Sequence, residues 1–211
     1  MKILRNQSDL NKAIGELVSM DPHLAFAVER AGKPELRVQR SGFEGLVSIL
    51  VSQQVSVAAA RAIEARLFDL LPDPHPAAFM DLTSEQCRGA GLSAPKQRYL
   101  RELSSSILSG QLDLDRFDRL SDEEIRAQLQ AVKGVGPWSA NIYLMFALRR
   151  ADSFAGGDLA LQEGYRRLAA LDARPSATEM DAIATRWSPY RAAAALILWR
   201  YYAHVPSVEI S

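Results

Sequence analysis

An all-α fold is predicted for this 211-residue chain, on three observations. Apolar residues recur at helical spacing (i, i+3 or i+4, i+7) along nearly the whole length. Few segments alternate apolar and polar residues as a half-buried strand would. Glycine and proline fall between the periodic stretches and break them into short helices.

Taken in order, Ser8 can cap a first helix whose Leu10, Ile14, Leu17 and Val18 share one side. Asp21-Pro22 opens a second, ending near Gly32-Lys33-Pro34. Ser41 begins a third, with Phe43, Leu46, Val47 and Leu50 on one face. The SQQVS stretch, Ser52 to Ser56, separates it from an alanine-rich helix that runs to about Leu71. The loop Pro72-Asp73-Pro74-His75-Pro76 is one that helices cannot cross. Short helices are expected over 76–81 and 84–90. A longer one runs from about Pro95 to Ser109, between the breaks at Gly91 and Gly110. Helices near 158–171, 176–186 and 189–203 complete the chain, and Ser188-Pro189 suits the start of the last.

The most informative stretch runs from Ser121 to Gly164. Ser121 and Glu124 form a capping box ahead of an apolar face made by Ile125, Leu129 and Val132. Lys133-Gly134-Val135-Gly136 stops that helix, and Pro137 suits the first turn of the next. Trp138 to Leu148 is apolar almost all round and should form a buried helix. Two glycines in such a hairpin let a phosphate approach the main chain, and the N–H groups of Gly134, Gly136 and Ser139 lie near a helix N-terminus that favours anions. The carbonyls of the same turn could ligate a monovalent cation. A plain helix–turn–helix corner with no ligand has the same local pattern.

Composition bounds the rest. No apolar run approaches the roughly 18 residues of a membrane span. MKILRNQSDLNKAIGEL lacks the apolar core of a secretory signal, so a cytoplasmic (nucleoid-associated) place in a bacterium, or a nuclear one in a eukaryote, is expected. A single cysteine, Cys87, rules out an internal disulfide and an iron–sulfur cluster, which needs about four thiolates. His23, His75 and His204 have no spacing suited to a transition metal. Lys plus Arg equals Asp plus Glu, which argues mildly against a nucleic-acid partner. The clusters Lys96/Arg98/Arg101, Arg149/Arg150 and Arg166/Arg167 could still form a basic face, or be ordinary solvated arginines.

LQAVKGVGPWSANIYLMFAL followed by FAGGDLALQEG resembles the helix-hairpin-helix DNA glycosylase superfamily. LVSQQVSVAAARAI, GLSAPKQRYLREL and RWSPYRAAAALILWRYY are similar to its 3-methyladenine DNA glycosylase II branch, the alkylpurine DNA glycosylases. The resemblance covers about Phe43 to Tyr202. It implies a two-lobed all-α fold without the extra N-terminal β-domain of the larger bacterial members. One lobe would span 37–150 and the other 1–36 plus 151–211, with the active site in the cleft. It further implies a monomeric enzyme of base excision repair that removes alkylated purines from double-stranded DNA and leaves an abasic site. Glycosylases of this fold also act on deaminated or oxidised bases, and a non-catalytic helix-hairpin-helix DNA-binding module is a third reading.

The resemblance assigns roles residue by residue. Asp158 is the catalytic carboxylate. It follows Gly156-Gly157, whose lack of side chains would let DNA come close, and its place at the mouth of a helix equally suits an N-cap; one carboxylate can serve both ends. Trp138 and Trp199 match pocket aromatics able to stack on a cationic base, while Ile142 stands where a further aromatic is expected. Trp187 and Tyr190 belong to a stretch that should pack structurally. The strand-cutting members carry a lysine at the position held here by Trp138, so a monofunctional, water-using enzyme is expected. Gln54, with Gln53 beside it, matches the wedge that fills the gap left by a flipped base. The carbonyls of Gln130, Val132 and Val135 match ligands of a structural Na+ or K+, and no cofactor is required for the chemistry.

Overall fold

Helix boundaries follow from local capping chemistry. In the computed structural model, which describes residues 2–205, the described residues form helices joined by short loops, with one isolated antiparallel bridge between Ile3 and Arg150. Two compact units emerge. One is Gln39–Tyr143, and the other gathers the described residues on either side of it.

The Gln39–Tyr143 unit holds α3 (Gly42–Ser52), α4 (Val57–Leu70), α5 (Pro76–Asp81), α6 (Ser84–Gly89), α7 (Ala94–Leu108), α8 (Asp122–Gln130) and α9 (Pro137–Ile142). Helix α3 is its centre, with Leu46, Val47, Ile49, Leu50 and Val51 buried, and α4, α7 and α9 pack on it. The expected capping box forms at α8: Ser121 Oγ accepts from Glu124 N–H, and the Glu124 carboxylate accepts from Ser121 N–H at 2.8 Å. The Ser121 N–H, and then the Ser121 hydroxyl, donate to the Glu124 carboxylate and hold it below its ordinary range. The long second helix expected over Trp138–Leu148 is instead a short α-helix that widens into a π-helical turn, Tyr143–Ala147. Tyr143 is buried there and accepts a hydrogen bond from Gly42 N–H at 2.9 Å; burial pushes its phenol up to about 12.

The second unit holds α1 (Gln7–Met20), α2 (Pro22–Ala31), α10 (Leu159–Leu168), α11 (Ala177–Ala184) and α12 (Arg191–His204). Helix α12 is the axis: residues 192–198 are buried and it packs on α1, α2 and α10. Its alanines allow close approach, and so does Gly164 on α10, where a Cβ would lie 3.0 Å from the Leu198 carbonyl oxygen. Trp187 is buried and donates to Asp21 Oδ2 at 2.7 Å, so its role is packing. Asp21 in turn caps α2.

Three expectations shift. The cap of α1 is Asn6, whose side chain accepts from Asp9 N–H, rather than Ser8. Helix α12 begins at Arg191, not at Pro189, with Tyr190 as its cap. The border between units falls after Tyr143 rather than at 150, because Leu4 N–H bonds the Arg149 carbonyl (2.9 Å) and Ala151 N–H bonds that of Lys2 (3.0 Å).

Candidate active site

The terminal unit presents Asp158. Asp158 is the N-cap of α10, in extended conformation, and Oδ1 accepts from the N–H groups of Ala160 (2.9 Å) and Leu161 (3.0 Å). The same oxygen accepts from Trp199 Nε1–H at 3.0 Å. Three donors on one oxygen fix the plane of the carboxylate and hence the direction of Oδ2. One oxygen caps the helix while the other is held in a fixed direction. Trp199 is half-buried on α12, and its ring lies 5.6 Å from that of Phe146, tilted by 33°. The loop before Asp158 is braced by Gln162, whose side-chain amide donates to the Gly156 carbonyl at 2.8 Å.

The two glycines ahead of Asp158 differ. A Cβ on Gly156 would collide with Asp181 Oδ1 and sit 2.9 Å from the Ala177 carbonyl oxygen, so this glycine answers to packing on α11 and not to DNA approach. Gly157 is exposed, with Ala177 Cβ 4.0 Å from where its own Cβ would be. Leu159, next to Asp158, is exposed as well.

The Gln39–Tyr143 unit carries the hairpin. Gly134 has φ +97°, a left-handed conformation, and a Cβ there would collide with the Tyr99 side chain, 2.7 Å from its Cβ. Gly136 has φ −89° and nothing within 4 Å of an added Cβ. Of the two, only Gly136 leaves open space for an incoming phosphate. Ser139 is buried, and Trp138 beside it is half-buried. Ile142 is buried at 5% exposure. The Val132 carbonyl accepts the Val135 N–H at 3.0 Å.

The two glutamines after α3 also separate. Gln53 Nε2 donates to the Gly134 carbonyl (3.0 Å) and to Ser139 Oγ (2.9 Å), which commits it to the hairpin. Gln54 is exposed and has φ +55°. A non-glycine residue in that region costs roughly 1–2 kcal/mol. Lys96 Nζ donates to the Val51 carbonyl at 2.6 Å, near the end of α3, and its burial lowers its pKa.

Most of the basic residues picked out as a candidate DNA face serve the fold. Besides Lys96, Arg101 donates to the carbonyls of Met80 (3.2 Å) and Leu82 (2.6 Å). Arg149 reaches the Arg5 carbonyl (3.4 Å), and Arg150 is buried. Arg166 and Arg167 both pair with Glu163, at 2.9 and 2.8 Å. Arg98 is exposed. Among the described residues no group of three or more His, Cys, Asp or Glu side chains gathers as a metal site, and no helix is long and apolar enough to cross a membrane.

Sequence reasoning missed Phe146, the Trp199–Asp158 bond, and the contacts of Gln53, Lys96 and Tyr99. All depend on tertiary neighbours, and no local spacing signals them.

Comparison with known proteins places this geometry. The family model described as HhH-GPD superfamily base excision DNA repair protein matches residues 47–189. DNA-3-methyladenine glycosylase 1 of Schizosaccharomyces pombe is 30% identical over 200 residues, covering 92% of this chain and 88% of that protein. The structure of the Schizosaccharomyces pombe 3-methyladenine DNA glycosylase in complex with abasic DNA aligns with a TM-score of 0.83 at 30% identity, over 89% of this chain and 95% of its own. The crystal structure of a DNA-3-methyladenine glycosidase from Bacillus halodurans aligns with a TM-score of 0.78 at 31% identity, over 96% and 93%. The chain belongs to the HhH-GPD superfamily of base excision DNA repair proteins, within its 3-methyladenine DNA glycosylase family.

Proposed function

We propose that this protein is a monofunctional DNA glycosylase that flips alkylated purines of the 3-methyladenine type out of double-stranded DNA and removes them by hydrolysis. The observation that carries this reading is the Asp158 carboxylate, locked by two backbone N–H groups and the Trp199 indole in a chain of this family.

Breaking the C1′–N bond develops positive charge on the sugar. A carboxylate held in place before the reaction stabilises that charge with no reorganisation. Water supplies the oxygen that bonds to C1′ and gives up one proton to solvent; the electron pair of the broken bond leaves with the purine and discharges it. Asp158 orients that water. An alkylated purine already carries positive charge, so its departure needs little acid catalysis. The Trp199 indole can stack on it, worth about 0.5–2 kcal/mol. Tryptophan at 138 provides no amine for a Schiff base, which leaves water as the nucleophile. We assign Trp138 and Ile142 to base recognition on the family resemblance.

DNA is the partner. Gly136, open on its Cβ side, together with the main chain of Gly134 and Ser139, receives a backbone phosphate. Gln54 enters the stack as the base leaves. On the family resemblance, we assign a structural Na+ or K+ to the carbonyls of Gln130, Val132 and Val135. That of Val132, which accepts one hydrogen bond, would offer its second lone pair.

The test is a panel of duplexes bearing 3-methyladenine, 1,N6-ethenoadenine, hypoxanthine or uracil, incubated with the protein and then treated with alkali. Strand scission at 3-methyladenine that requires alkali is expected. Scission without alkali, or a borohydride-trapped covalent adduct, would replace water with an enzyme amine. Intact strands throughout would remove the glycosylase reading.

A further inference from the structure

Three contacts in the Gln39–Tyr143 unit converge on the stretch around Gln54. Gln53 uses both N–H bonds of its side-chain amide, one to the Gly134 carbonyl at 3.0 Å and one to Ser139 Oγ at 2.9 Å. Those acceptors lie on opposite sides of Gly136: Gly134 is in the left-handed turn and Ser139 is in α9. Lys96 Nζ holds the Val51 carbonyl at 2.6 Å. Tyr99, one turn further along α7, lies directly against Gly134. Helix α7 thus touches both the end of α3 and the hairpin, and Gln53 ties the two to each other. Gln54, exposed and in a left-handed conformation, is the next residue in the chain. Gln54 is thus one peptide bond from a residue anchored on both sides of Gly136.

We propose that Gln53 is a positioning residue that sets the spacing between the phosphate grip at Gly136 and the wedge at Gln54, and that it acts in base extrusion rather than in DNA affinity or bond cleavage. The inference rests on the glycosylase reading above. Extrusion needs opposed forces on one nucleotide: the backbone held at one point and the stack filled at another. If residue 54 slides relative to the hairpin, the phosphate is still gripped, yet the wedge meets the wrong base step. The amide is suited to this duty because it donates two bonds to neutral acceptors without bringing charge toward a DNA backbone.

The test compares wild type with Gln53→Met, which keeps the length and loses both donors, and with Ser139→Ala, which removes a single acceptor and leaves residue 53 intact. Single-turnover excision is measured on the best-excised lesion of the duplex panel, once opposite its pairing base and once in an unpaired bulge. Affinity for an abasic duplex is measured in parallel, and thermal melting reports folding. Losing both donors should cost Gln53→Met at least about tenfold on the paired lesion, near 1.4 kcal/mol. Its rate on the bulged lesion should stay within about threefold of wild type, as should its abasic-site affinity; on the paired lesion Ser139→Ala, which keeps the main-chain N–H of residue 139, should fall between wild type and Gln53→Met. Equal losses on paired and bulged lesions, or no loss on either, would overturn the inference while leaving the glycosylase reading in place. A wild-type protein inactive on both would end that reading, and this inference with it. Should Gln53→Met melt early, the paired-to-bulged ratio of Ser139→Ala decides alone, since a merely structural defect lowers both rates together.

Discussion

Trp199 and Asp158 are joined by a 3.0 Å hydrogen bond from the indole N–H to carboxylate Oδ1, the oxygen that also caps α10. Two helices, α10 and α12, meet at this bond, and Gly164 permits their close approach. An indole often fills a pocket with its face. Here its edge also fixes the direction of a carboxylate.

Asp158→Asn separates the two ends of that arrangement. Asparagine is as good an N-cap as aspartate, and its Oδ1 can accept the same three N–H groups. The melting free energy should change by less than about 0.5 kcal/mol. Charge stabilisation is lost, so single-turnover excision should fall by about 10²–10³-fold. Thermal melts and excision rates on one preparation test both halves, and wild-type-like turnover would remove the assignment.

Trp199→Phe keeps a ring against Phe146 but deletes the donor. A hydrogen bond to a carboxylate at a half-buried site should contribute about 1–1.5 kcal/mol, so excision should fall about tenfold. The sharper measurement is a double-mutant cycle with Asp158→Asn. If Trp199 acts through Asp158, its substitution costs far less in the Asp158→Asn variant than in wild type. Strict additivity would place the role of Trp199 in stacking alone.

Local signals account for what could be read from the residues beforehand. The Ser121/Glu124 capping box joins residues three apart, so its chemistry lies within the sequence window that predicts it. The hairpin, Pro137 and the Asp158 cap are equally local. The cap of α1 is expected at Ser8; Asn6 is an equally good capping residue by type, and the fold selects it. The π-helical turn at Tyr143–Ala147 could not be read, since Tyr143 is held by Gly42, far off in the chain. Gln53 looked like half of a wedge because its partners, 81 and 86 residues away, leave no trace in SQQVS. Gly156 looked like room for DNA, yet Asp181 occupies that room. Side chains with long-range partners leave no mark in their local sequence.

Gln54 should show a trade between stability and activity. Its φ of +55° is unfavourable for any residue with a Cβ. Gln54→Gly should therefore stabilise the fold by about 1 kcal/mol, offset in part by the greater freedom of glycine in the unfolded chain. If residue 54 is the wedge, the same change should slow excision from a paired duplex. Chemical denaturation and single-turnover rates should move in opposite directions; a variant that gained stability and kept full activity would deny residue 54 its wedge role.

The hairpin glycines should separate in the same way. Gly134→Ala adds a methyl group 2.7 Å from Tyr99 Cβ at a φ of +97°, so conformational strain and overpacking together should cost about 2–4 kcal/mol. Gly136→Ala meets nothing within 4 Å at a φ of −89°, and folding should change by less than about 0.5 kcal/mol. If a phosphate uses that space, Gly136→Ala binds an abasic duplex about fivefold more weakly, near 1 kcal/mol. Urea titrations and fluorescence anisotropy make the comparison.

Glu163 on α10 gives a pH dependence with a defined sign. Hydrogen bonds from Arg166 and then Arg167 hold its carboxyl at about 2, against an ordinary 4.5. A depressed folded pKa means that the stabilisation is present above the unfolded value and is lost as pH falls through the folded one. The window is therefore about pH 4.5 down to about pH 2. All three side chains are partly exposed, at 22%, 31% and 21%, so solvent screening limits the contribution to about 1 kcal/mol. Glu163→Gln should be less stable than wild type by that amount at neutral pH, by less at pH 3, and by nothing measurable once pH falls below about 2. Urea denaturation of both proteins across this range tests it, and added salt should shrink the neutral-pH difference. A deficit unchanged at the acid end would mean that Glu163 stabilises α10 through packing, and the arginine pair would then owe nothing to its charge.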